Sequence, residues 1–148
     1  MHSGWGALVV MSNEGALDVV DRRHIVVAQA TIPGSKQPYH YAENLELKQA
    51  GEYIARCSAA SGQLASSAIR EILSQVEKNE NRVEGSAILR SSGRTLPTLE
   101  KVLASHALIH TAEGESFRTV VRKACEDAGM TVTPLRDSLP TSGVRNSA

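Results

Sequence analysis

Between Ser105 and Arg118, fourteen residues carry two histidines, two glutamates and an arginine. His106, His110 and Glu113 stand four and three apart, the spacing that sets side chains on one face of a continuous helix. Two imidazoles and a carboxylate so placed could bind zinc and leave one coordination position open. The HExxH pattern of helical zinc sites is absent, however. Gly114, or a helix cap at Ser105 or Thr111, would also split the trio. The reading adopted here is acid–base chemistry, with His110 and Glu113 as the catalytic pair, because a glutamate beside a histidine can serve as general base. No residue is assigned as a metal ligand, and the cofactor is left open. His106, Glu115 and Arg118 join as ligand contacts. The competing reading makes the histidines packing or capping residues and the acids a solvated helix start, with Glu115 and Arg118 paired at i,i+3.

A second candidate is Ser91-Ser92-Gly93-Arg94. It follows an expected strand and precedes an expected helix, where ligands gather in open α/β sheets. Hydroxyls from Ser91 and Ser92, free amides and the Arg94 guanidinium would make an anion pocket. The segment lacks the Walker lysine and spacing, so it is no P-loop.

Composition narrows the partners. The 148 residues hold 16 basic and 16 acidic side chains, a balance that argues against a dedicated nucleic-acid binder. The five aromatics do not cluster among basic residues as in single-strand binders. Tyr39 and Tyr41 flank His40 beside Pro38, which reads as an anchor from loop into helix. Cys57 and Cys125 are far apart and outside any CxxC, so both read as reduced core residues. No run approaches the length that crosses a bilayer, and the first residues lack a signal-peptide pattern. A cytoplasmic protein is the default expectation.

The elements that must hold these residues follow from apolar patterning. Ala7–Met11, Ala16–Asp21 and His24–Ile32 read as three strands, joined by turns at Ser12–Gly15 and Arg22–Arg23, an antiparallel meander. Pro33, Gly34 and Pro38 mark a linker over 33–45. A long amphipathic helix runs to Asn79, and its small-residue middle, Ser58–Ser67, suits close approach to a sheet or to a second copy in a homo-oligomer. Val83–Arg90 is a fourth strand, a short helix opens at Thr95 and Pro97, and a further helix carries the histidines to Ala128. Gly129 is placed as its cap. Met130–Leu135 is a fifth strand. The reading is a single α/β domain over 1–136 with a mobile tail over 137–148.

The order β-β-β-α-β-α-α-β resembles the ribonuclease H-like superfold, which also underlies actin-like ATPase domains and Holliday-junction resolvases. The resemblance implies a mixed five-stranded sheet, a three-strand antiparallel meander plus two helix-linked strands, with helices packed on it. It also implies acids over the sheet that hold divalent metal. Here the first strand has none, and Arg90, Ser91 and Ser92 stand where a second acid belongs. Glu14 and Gly15 only partly match the acidic, glycine-containing hairpin of actin-like domains. Three functions follow as expectations. The first is binding or processing of a small anionic or phosphorylated ligand. The second is a non-catalytic, degenerate member acting as an oligomerisation or protein-interaction module. The third is a divalent-metal-dependent nuclease or hydrolase, which would need Asp18 or Asp21 to meet Glu113 or Glu115.

Overall fold

The computed structural model describes residues 3–89 and 94–135. The expected tail over 137–148 and the Ser91-Ser92 loop lie outside the described residues.

The chain opens with an antiparallel hairpin, β1 (Trp5–Ser12) and β2 (Asp18–Val26), with a bulge between Val10 and Met11. Alternation decides which side is buried: Gly6, Leu8 and Ile25 turn inward, whereas Val9, Met11 and Val26 face solvent. Arg22 and Arg23 do not make the expected turn. They continue β2, and alternation sends Arg23 inward to Asp21, to Gln75 and to Glu71. An arginine with three acceptors is more stable inside the strand than in a turn that offers it none.

The five-stranded mixed sheet does not form: the described residues hold four strands in two separate two-stranded sheets. The expected third strand is pre-empted, because the amides of Val27 and Ala28 both donate to Gly4 O at 2.8 and 3.1 Å. Those two hydrogen bonds turn the chain out of the hairpin, and residues 27–37 proceed through turns. The second sheet pairs β3 (Ser86–Leu89) with β4 (Val132–Leu135) in parallel. Each strand has only four residues. The ribonuclease H-like sheet is therefore replaced by two small ribbons resting on one set of helices.

Two helices begin after the turns: α1 (Pro38–Ala42) and α2 (Leu47–Lys78), the latter unbroken through Gly62. At about 1.5 Å per residue, α2 is some 48 Å long. Tyr53, Cys57, Ser61, Ala65, Ile69 and Ile72 form its buried line, at steps of four and three. Then come α3 (Leu99–Leu103) and α4 (His106–Asp127). Helix α4 ends as expected at Gly129, whose φ of 85° lets the Met130 amide reach back to Cys125 O at 3.1 Å. Ile25, Val27, Ala65, Ile69, Phe117, Val120, Val121, Ala124 and Cys125 form the main core, with Leu8, Ile88 and Val132 packed against it from the two ribbons. Both cysteines are free and buried. No described helix is long and apolar enough to cross a membrane.

Candidate metal centre

Helix α4 begins where the sequence places its chemistry. Ser105 caps it, its Oγ accepting from the Leu108 amide at 3.4 Å. His106 is thus the first helical residue, and His110 follows one turn on. Thr111 starts no new helix, because its hydroxyl donates to Ala107 O and the helix passes through Gly114. Both imidazoles are exposed. Their Nε2 atoms lie 3.1 Å apart.

The third histidine comes from α1. Short helices do not persist alone, and three contacts hold this one. The Tyr53 hydroxyl donates to Pro33 O at 2.6 Å, fixing the entry. Gly34, at a φ of 76°, lies under Tyr41, and a Cβ there would collide with the Tyr41 ring. The third contact is Glu113. Gln37 offers α1 no side-chain cap. Instead, the His40 amide donates to Glu113 Oε1 at 3.2 Å, across 73 residues of sequence.

That bond sets the His40 ring in front of α4. Its Nδ1 lies 2.9 Å from Glu113 Oε2. The buried Nδ1 has no hydrogen-bond partner of good geometry, so the carboxylate is close but off the N–H line. At 2.9 Å the carboxylate still holds the imidazole by charge and proximity. The ring meets His110 and His106 edge-on, with centroids 4.6 and 5.3 Å apart. Ring nitrogens of His40, His106 and His110 all lie within 4.8 Å of one another. Among the described residues this is the group whose donors converge as metal ligands do.

The arrangement has the chemistry of a three-histidine centre. A tetrahedral ion about 2.05 Å from each nitrogen sets the nitrogens about 3.3 Å apart. The His106–His110 separation already fits. For all three to share an ion, the widest pair must close by up to about 1.5 Å. A carboxylate at Nδ1 holds the proton there and leaves Nε2 as the donor, the support given to ligating histidines in known metal sites. Glu113 is buried. Nearby, burial and then the Glu113 charge push the Tyr39 phenol above its ordinary value.

The other expected site residues are distributed differently. Glu113 serves His40 and stands outside the converging donors. Glu115 lies about half a turn past Glu113, on another face, and pairs with Arg118 at 3.4 Å. Arg94 is exposed, but Leu96, two residues on, packs against the cluster of Val102, Ile109 and Ala112, as does Tyr39, the sequence neighbour of His40. Asp21 pairs with Arg23, and β2 makes no close backbone approach to α4 among the described residues. The carboxylate cluster a nuclease needs is not assembled from Asp18, Asp21, Glu113 and Glu115. The residue missed from sequence is His40, read as an anchor. Pro38 suits a helix start there, but no sequence spacing ties His40 to α4.

No protein-family model, no curated protein and no solved structure matches this chain.

Proposed function

We propose that the protein binds a divalent transition metal, Zn²⁺ by ligand preference, through His40, His106 and His110, with Glu113 orienting His40. The observation that carries the reading is the convergence of three ring nitrogens within 4.8 Å, with a buried carboxylate behind one of them. Imidazole donors suit zinc, copper, nickel and iron and do not suit magnesium or calcium. Three protein ligands leave a fourth position for water or substrate, the pattern of catalytic rather than structural sites. This favours the metal-dependent hydrolase class over a purely structural module. The role of His110 changes accordingly, from acid–base partner to ligand. Glu113 becomes a positioning residue.

The test is a zinc titration of the full chain against a chromophoric chelator. One equivalent should bind, and His40→Ala, His106→Ala and His110→Ala should each weaken binding at least tenfold. Wild-type affinity in all three variants would overturn the reading.

A further inference from the structure

The same four residues specify what the metal would hold; this inference rests on the metal reading above. Imidazoles ligate as neutral groups. Three of them leave the double charge of a divalent ion undiminished within its own coordination shell. Glu113 cannot reduce it by ligation, because Oε1 accepts the His40 amide and Oε2 faces Nδ1. The carboxylate also stands outside the converging donors.

The open position therefore favours a negatively charged ligand over a neutral one. Its direction follows from burial: His40 is half-buried against Glu113, whereas His106 and His110 are exposed. The ion's free side is the solvent side. The local backbone works the same way. His106 opens a 22-residue helix whose first turn contains no acid. The helix dipole there adds a partial positive charge that no acid of the first turn cancels. The donor set, the withheld carboxylate and the acid-free helix start all select the same ligand charge.

We propose that the fourth coordination position takes a small oxyanion, a phosphate or a carboxylate, bound directly to the metal. Cobalt(II) is the probe, because its visible absorption changes with its ligands. The full chain is loaded with Co²⁺ and titrated separately with inorganic phosphate, acetate and perchlorate. The expected result is a saturable spectral change with phosphate or acetate and none with perchlorate. The tighter of the two identifies the source of the oxyanion. Lys123→Ala, at the far end of α4, should behave as wild type. Cobalt uptake with a spectrum that neither phosphate nor acetate alters would overturn the oxyanion proposal and leave the metal reading standing. A change shared equally by perchlorate would overturn it too, as an ionic-strength effect. Failure to take up cobalt would overturn both.

Discussion

Glu113→Gln separates a positioning role from a merely structural one. Glutamine keeps the shape and one acceptor, so it can still receive the His40 amide, now as a neutral bond. Bonds to charged groups contribute about 1.5–3 kcal/mol and neutral ones about 1, so the metal-free protein should lose about 1 kcal/mol. For a chain of this size that is a fall of about 2–4 °C in Tm. The effect on metal should be larger. Removing the carboxylate behind a ligating histidine typically costs about 10–100-fold in affinity, or about 1.4–2.8 kcal/mol. The assay is chelator competition with zinc on wild type, Glu113→Gln, His40→Ala and the double variant. If Glu113 acts through His40, the glutamine should cost nothing further once His40 is alanine. Equal losses in both backgrounds would refute the reasoning, because Glu113 would then act on the metal by another route.

Zinc at about a hundred times its dissociation constant should stabilise the fold by about 2.7 kcal/mol, raising Tm by about 5–11 °C, and EDTA should reverse the rise. Gly34→Ala places a Cβ against the Tyr41 ring at a positive φ, so chemical denaturation should show a loss of about 3 kcal/mol, with zinc affinity falling as α1 shifts. Alkaline pH should destabilise the protein. Burial pushes the Cys125 thiol above its ordinary 9.0, against a smaller opposing effect of the Ser86 hydroxyl, and raises the Tyr39 phenol as well. Both groups lose protons more readily when unfolded. Their contribution is whole below the unfolded values and falls as pH climbs toward the folded ones. Urea midpoints measured upward from about pH 9 should decline, and Cys125→Ala should flatten the first part of that slope.

The long helices were legible because their evidence is local, whereas α1 lay inside the expected linker over 33–45 and was missed. The line through Ala50, Cys57 and Ile72 marks α2, and Gly129 marks the end of α4. The sheet was not legible, because its outcome turns on two bonds to one carbonyl. Gly4 O captures Val27 and Ala28 and ends the strand that patterning extends to Ile32. Nothing in the run of Val and Ala there encodes a partner 23 residues upstream. Arg22-Arg23 misled for a related reason. Adjacent charges look like a turn until alternation sends one of them to Gln75 and Glu71 on α2. At the site, His106, His110 and Glu113 declared themselves by spacing within one helix. His40 did not, since its relation to Glu113 spans 73 residues and arises only when α1 docks.

The donors of the proposed centre differ in how firmly they are placed. His106 and His110 ride on a 22-residue helix whose buried face is Ile109, Ala112, Phe117 and their neighbours. The helix fixes their backbone spacing at one turn, and their Nε2 atoms, 3.1 Å apart, already suit a shared ion. His40 rides on five residues that lack a side-chain cap of their own. It stands where it does because Tyr53 holds Pro33, Tyr41 covers Gly34, and Glu113 takes the amide. The pair on α4 is therefore preorganised, and His40 is the adjustable donor. A metal would bind the α4 pair first and draw in the His40 ring, tying the turn-rich segment before α1 to the most regular helix of the site. Slow exchange of the His40 amide on zinc binding, with little change at Ile109, is what this order of assembly requires.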